Sequence, residues 1–228
     1  GIYDSTLLYE LHEEFDIPSI EYLFAFYLYE NEKYLESVIA FEELLKTQKN
    51  MANAHYYRGR AYYGMNDVLS GIAEFNKGLE IVPNSVELLF EKARGYQNLE
   101  DFRTAINLYQ RVINLSNYSG LPHNNIAACY ESLDKKDSAL IYYNMAIDIN
   151  PNFNLAYRNR AKLYVENKEN KRALHDFNKA IALNTGDVDA INGRGDLYYS
   201  EGKYYMALME YDKCISIFDK WPFFYKDR

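Results

Sequence analysis

Residues 74–83 read EFNKGLEIVP and residues 176–185 read DFNKAIALNT. Both run acid, Phe, Asn, Lys, small residue, aliphatic. Their starting points lie 102 residues apart, three times 34, so 34 is the period to test. Cutting from Pro18 lays out six windows without an insertion: 18–51, 52–85, 86–119, 120–153, 154–187 and 188–221. Residues 1–17 precede them and residues 222–228 follow.

The windows agree where a two-helix unit requires agreement. The eighth place holds Ala25, Gly59, Ala93, Ala127, Ala161 and Gly195. The twentieth holds Ser37, Gly71, Ala105, Ala139, Ala173 and Ala207. All are small, and small residues let two helix axes approach closely. The twenty-fourth place is always aromatic (Phe41, Phe75, Tyr109, Tyr143, Phe177, Tyr211), which fills the space beside them. The spacing predicts a first helix over places 2–14, a short turn rich in Asn, Asp, Gly and Lys, and a second helix over places 17–30. No sustained alternation of apolar and polar residues suggests a sheet. A single helix pair cannot bury its apolar face, so the units must stack.

This register resembles the tetratricopeptide repeat. The resemblance implies an all-α, right-handed superhelical solenoid of antiparallel helix pairs, with the first helices lining a concave inner face. Tyr157-Arg158-Asn159-Arg160-Ala161 and Asp176-Phe177-Asn178-Lys179-Ala180-Ile181 look like bacterial members. Departures occur at Leu44, where a small residue is usual, and at Lys136 and Asn170, where an aromatic is. Asn117 stands where Pro is usual, with Gly120 and Pro122 following, so an irregularity is expected between the third and fourth windows. Residues 222–228 continue the phase and read as the start of a further repeat. Residues 1–17 carry an amphipathic stretch from Thr6 to Phe15 with Ser5 as N-cap. It reads as a capping helix or as the remnant of a preceding repeat. Gly1 follows no initiator Met, so a longer parent chain is expected.

Charge narrows the function. The 228 residues carry a net charge of −8, and residues 1–51 alone account for all of it. A general nucleic-acid or anionic-membrane binder needs a basic surface instead. The two cysteines, Cys129 and Cys214, make no disulfide framework. No apolar run reaches the ~18 residues of a membrane span. The N-terminus shows no basic segment followed by an apolar one, so no signal peptide is read there; a soluble chain without membrane insertion is expected, with cytoplasm favoured, the compartment undetermined and a processed or truncated N-terminus left open.

No catalytic constellation or cofactor motif emerges. His12, His55, His123 and His175 lack metal-ligand spacing. His55 and His123 share the fourth place, a packing position. Both cysteines read as small buried hydrophobes. Gly193-Arg194-Gly195 sits inside a predicted helix with no strand before it, which rules out a phosphate loop. Asn114-Leu115-Ser116 and Asn117-Tyr118-Ser119 fit the short glycosylation pattern, which is common by chance.

The inner face is where a function can be written. Places 2, 5, 9 and 12 of the first helix share one stripe, with place 6 at its border. The first two windows put Tyr22, Phe26, Tyr29, Tyr56, Tyr57, Arg60 and Tyr63 there. The third to fifth put Phe90, Arg94, Asn124, Asn125, Arg158, Asn159 and Lys162, and the sixth puts Asn192, Asp196 and Tyr199. Aromatics supply apolar pockets, amides pair with a peptide backbone, and arginines fork onto carboxylates. The pattern points to a non-enzymatic module binding a protein or peptide, with an acidic feature in the ligand. Packing against neighbouring turns explains the same residues without a ligand. Some family members hold a terminal carboxylate in a Lys/Asn clamp. Only Asn125 matches it here, and Arg94 stands where Asn is needed. An asparagine ladder known in others finds two rungs, Asn125 and Asn159, interrupted by Glu91 and Gly193. The alternatives are a structural spacer or oligomerisation arm of a larger assembly, and the regulatory domain of a multidomain signalling protein.

Overall fold

The computed structural model describes residues 19–116 and 120–219. Among the described residues there are twelve α-helices: α1 (Ile20–Glu30), α2 (Tyr34–Thr47), α3 (Ala52–Gly64), α4 (Val68–Ile81), α5 (Val86–Asn98), α6 (Phe102–Leu115), α7 (Leu121–Ser132), α8 (Lys136–Ile149), α9 (Asn154–Glu166), α10 (Asn170–Leu183), α11 (Val188–Ser200) and α12 (Tyr204–Asp219). The even-numbered helices start at residues 34, 68, 102, 136, 170 and 204, a strict 34-residue period. Two compact units divide the chain, one through Ser116 and one from Asn117. α1–α6 form three helix pairs in the first, and α7–α12 three in the second. The irregularity expected around Asn117 falls on residues 117–119, outside the described residues. So do the expected helix over 6–15, His12, and the residues after 219. No helix among the described residues is long and apolar enough to cross a membrane.

The local chemistry explains where the helices begin and turn. Ser19, Asp67, Ser85, Asp101 and Asp187 each accept a hydrogen bond from a backbone N–H three residues on, satisfying a donor that the first turn leaves open. Between the helices of each pair, the fifteenth place takes a left-handed conformation: Glu32, Asn66, Glu100, Asp134, Lys168 and Gly202 all have positive φ. Only Gly202 adopts it without steric cost, so the other five turns are held by packing and by the backbone bonds on either side.

The core follows the register. The small residues of the eighth and twentieth places are buried throughout, and Phe41, Phe75, Tyr109, Tyr143 and Phe177 are sealed behind them. Approach is tightest where glycine occurs. A Cβ at Gly59 would lie 2.4 Å from the Phe75 ring. At Gly120 it would lie 2.4 Å from the Ala146 carbonyl oxygen, which only a backbone shift could relieve. Polar anchors join this apolar frame. Ser37 donates to the Ala25 carbonyl at 2.9 Å, tying α2 to α1 at the contact point.

A buried ion pair recurs on top of the packing. Place 7 is arginine in three repeats, and each arginine reaches a carboxylate 16 residues later and a polar group 16 residues earlier. Arg160 forks onto Asp176 at 2.6 and 2.9 Å and donates to Asn144 at 2.6 Å. Arg194 donates to Glu210 at 2.7 Å and to Asn178 at 2.6 Å. Arg58 lies 3.7 Å from Glu74 and donates to Glu42 at 3.3 Å. Each guanidinium therefore clasps both helices of its own repeat and the second helix of the repeat before. Burial alone would push Glu74 up. Hydrogen bonds from His55 and Lys77 and the charges of Arg58 and Lys77 outweigh it and hold the carboxyl below its usual range. Glu210 is held down in the same way by Arg194 and Lys213.

Three outcomes follow from this architecture. Ala105→Leu wedges α5 and α6 apart and lowers stability by about 1–3 kcal/mol, read as a lower urea midpoint with unchanged slope. Asp176→Ala strands a buried guanidinium and costs about 3–5 kcal/mol by the same measurement. Because Glu74 is depressed in the folded state, its contribution is fully present above the unfolded carboxylate pKa and is lost as pH falls through the folded one. Glu74→Gln therefore flattens the loss of stability below about pH 4, measured as thermal midpoints across an acid series.

Candidate functional site

In the first unit, the rings of the predicted inner stripe on α1 and α3 assemble into one aromatic wall. Tyr57 is its hub. It lies edge-on to Phe26 with centroids 4.8 Å apart and to Tyr56 at 5.0 Å, and contacts Tyr29 at 5.5 Å and Tyr22 at 6.3 Å. Such contacts are worth about 0.5–1.5 kcal/mol each beyond the area they bury, so the rings set one another's positions. Burial, with Tyr57 close by, pushes the Tyr22 hydroxyl up to about 12. All five rings stay half-buried, leaving apolar surface toward solvent.

The cations of this face are already engaged. The Arg60 guanidinium lies over Tyr29 at 5.4 Å and Tyr56 at 5.7 Å, and 3.9 Å from the Glu91 carboxylate. Arg94 pairs with the other oxygen of Glu91 at 2.8 Å. Glu91 is buried, so one carboxylate neutralises two inner-face arginines in place. Tyr63 turns inward and donates to the Glu91 backbone carbonyl at 3.1 Å, which removes it from the open surface. Phe90 packs on the Tyr109 ring at 5.4 Å.

In the second unit, the same stripe on α7, α9 and α11 is a chain of amides. Asn159 donates to Asn124 at 3.1 Å, and Asn124 donates to Asn125 at 3.3 Å. Asn124 is buried, so it does not present its amide as the sequence pattern suggested. It positions Asn125 and Asn159, which remain half-exposed. Arg158 is also inward-bound. It donates to Asp187 at 2.9 Å and lies 3.1 Å from Asp189, while Asn154 holds the second Asp187 oxygen at 3.0 Å. Asp187 simultaneously caps α11, so Arg158 ties α9 to the start of the next pair. Lys162 stays exposed, as does Asn192, which reaches Asp196 at 3.2 Å.

Glu131, at place 12 of this stripe on α7, was missed by the sequence reading. It accepts a hydrogen bond from Tyr143, the aromatic of the twenty-fourth place. Burial, reinforced by Glu166, pushes its carboxyl up against the opposing pull of Tyr143, Lys162 and Lys136. Tyr109 makes the corresponding bond to Gln97 at 2.9 Å. The signal was present: both partners sit at place 12, twelve residues before the tyrosine.

The remaining chemistry-bearing residues are structural in position. His55 is buried with Nδ1 2.8 Å from Glu74, and His123 is buried on α7. Burial pushes the Cys129 thiol up to about 12, far from reactive thiolate range. Cys214 is buried as well. Gly193 and Gly195 lie within α11, against Phe177 and Tyr211. Among the described residues no group of three or more His, Cys, Asp or Glu side chains could hold a metal ion.

Sequence profiles of the tetratricopeptide repeat match residues 22–86, 121–153 and 188–220, together more than half of the chain. No curated protein sequence matches it. Many solved structures share the fold. The structure of MamA is 22% identical, covers 71% of this chain and 95% of its own, and superposes with a TM-score of 0.61. YrrB, described as a TPR protein with an unusual peptide-binding site, is 20% identical over 78% of this chain and 92% of its own, with a TM-score of 0.57. PilF of Pseudomonas aeruginosa is 11% identical, covers 91% of both chains and gives a TM-score of 0.70. At these identities the likeness speaks to fold alone. Repeat register, paired helices and family profiles coincide: the chain belongs to the tetratricopeptide repeat family, an all-α solenoid that serves as a protein–protein interaction module.

Proposed function

We propose that the chain is a non-enzymatic binding module whose inner-face stripes hold an extended peptide or a partner helix. The aromatic wall of the first unit carries this reading. Tyr22, Phe26, Tyr29, Tyr56 and Tyr57 form a continuous ring surface, half-open to solvent, with Arg60 laid across its edge. Rigid rings that cost little side-chain entropy are what binding hot spots are built from. The second unit, taken by itself, presents the half-exposed amides of Asn125 and Asn159, which are able to pair with a peptide backbone.

The charge pattern refines the ligand. Arg60, Arg94 and Arg158 are each neutralised by a carboxylate of the chain itself. A ligand carboxylate would therefore compete with Glu91 for the half-exposed Arg94, or meet the exposed Lys162. Apolar and aromatic side chains supply most of the affinity, and an acidic group adds selectivity. YrrB carries a peptide-binding site on this fold, which supports the reading by analogy.

A peptide-display library panned against the chain tests this directly. Enriched sequences are expected to be rich in aromatic and aliphatic residues. Tyr56→Ala/Phe26→Ala should weaken their binding at least tenfold, and Lys162→Glu should weaken only those carrying Asp or Glu. Peptides whose affinity ignores all three substitutions would move the interface off the inner face and favour a structural arm.

A further inference from the structure

Each junction between helix pairs within a unit repeats one contact, and its glycines give the register. A Cβ at Gly78, place 27, would lie 2.8 Å from Leu88, place 3 of the next repeat. At Gly193, place 6, it would lie 2.6 Å from Phe177, place 24 of the repeat before. At Gly95, place 10, it would lie 2.7 Å from Ile72, place 21 of the repeat before. The second helix of one pair thus runs antiparallel along the first helix of the next, with places 21, 24 and 27 meeting places 10, 6 and 3. Two helices each expose one half of this contact. On α1, Ile20, Leu23 and Tyr27 hold places 3, 6 and 10 and are 62%, 46% and 58% exposed, with Phe24 beside them at 57%. On α12, Leu208 at place 21 is 56% exposed, where Val38 and Ile72 are buried. Ile215 at place 28 is 57% exposed, where Ile147 is buried, and Tyr211 is only half-buried where the other place-24 rings are sealed. A repeat surface meant for water is polar instead.

We infer that the chain associates head to tail: α12 of one copy docks along α1 of a second copy, in the register of the internal junctions. That register sets Leu208 against Tyr27, Tyr211 against Leu23, and Ile215 against Ile20. The contact is one the chain already makes where α2 meets α3, α4 meets α5, α8 meets α9 and α10 meets α11. Two large side chains at places 24 and 6 are accommodated there. Phe41 and Tyr57 stack with centroids 6.4 Å apart, so Tyr211 against Leu23 needs no small residue. One polypeptide thus carries both halves of a contact whose geometry its own interior demonstrates, and a second copy supplies whichever half the first lacks.

Charge selects this arrangement over a symmetric one. Residues 1–51 carry the entire net charge of −8, so α1 against α1 would press two acidic quarters together. α12 belongs to the remainder of the chain, whose acidic and basic residues balance, so α12 against α1 meets no such repulsion. The contact is heterologous: each copy that uses one face keeps the other free. Association therefore runs past the dimer, into a ring where the rotation closes and a filament where it does not. The proposal is independent of what the aromatic wall binds.

Sedimentation velocity across a micromolar-to-millimolar series tests it. The mean mass of the chain is expected to climb past twice the monomer. Leu208→Asp/Ile215→Asp removes one face and Leu23→Asp/Phe24→Asp the other, and each variant alone should stay monomeric. Mixed in equal amounts they should form a dimer and nothing larger, because one intact face of each kind remains. A chain that stays monomeric throughout overturns the proposal and leaves the two faces to residues 1–17, to residues 220–228 or to a different protein. Association that survives in either variant alone overturns it too. A second measurement stands if an Asp variant fails to fold. A Tyr27→Cys chain and a Leu208→Cys chain should cross-link to each other under mild oxidation, and neither to itself, since Cys129 and Cys214 are buried. Failure of that mixed disulfide to form overturns the register.

Discussion

Close approach of two helices at a small residue is the constraint on which everything else in this structure depends. Places 8 and 20 admit only Ala, Gly or Ser because a larger side chain at either would push the helix axes apart. With the axes close, a pocket remains beside the contact that one aromatic ring fills, which is why the twenty-fourth place never varies in kind. The glycines mark where tolerance is lowest. Gly59 and Gly71 leave no room for a Cβ against Phe75 and Tyr63, so close helix packing lies beneath the aromatic wall. The wall's orientation is thus inherited from contacts on the far side of its helices.

The arginine clasp is a second layer, and its distribution shows how one structural role passes between chemistries. Arg58, Arg160 and Arg194 each span three helices. Where place 7 is not arginine, place 23 is not acidic: Phe24 stands with Ala40, Lys92 with Leu108, and Ile126 with Tyr142. Neither half is kept without the other, as expected when an unpartnered buried charge costs several kcal/mol. The clasp also accounts for the second member of the echo, residues 176–178. Asp176 receives the arginine of its own repeat, Phe177 fills the pocket, and Asn178 receives the arginine of the next repeat. Three consecutive letters encode three contacts in two repeats.

Much of this was legible because helical periodicity and residue size are local properties of the chain. The 34-residue phase, the small residues and the aromatic of each second helix could be read without knowing any contact. Turn geometry was less legible. Glycine marks the left-handed position only at Gly202, and the other five turns place Glu, Asn, Asp or Lys there. The inner face was the least legible part. Its residue types are plain in the sequence, but whether a side chain faces solvent or a neighbour depends on partners far along the chain. Asn124 and Tyr63 sit at inner-face positions yet are consumed by Asn159 and the Glu91 backbone. Arg158 is claimed by Asp187, 29 residues away.

Those internal partnerships bear on what such a face can recognise. A free arginine on a groove attracts any anion and contributes more to on-rate than to discrimination. An arginine already paired with a buried carboxylate yields only to a ligand group that replaces the carboxylate's hydrogen bonds while leaving Glu91 or Asp187 satisfied. That condition is demanding, because a stranded buried carboxylate offsets what the new contact supplies. In the proposed binding role, weakly selective anion binding would be suppressed, and discrimination would fall to the rings and amides, whose contacts depend on shape and hydrogen-bond direction. In the binding role proposed above, the paired arginines of the inner face would act as a specificity device, disfavouring ligands that bring charge without fit.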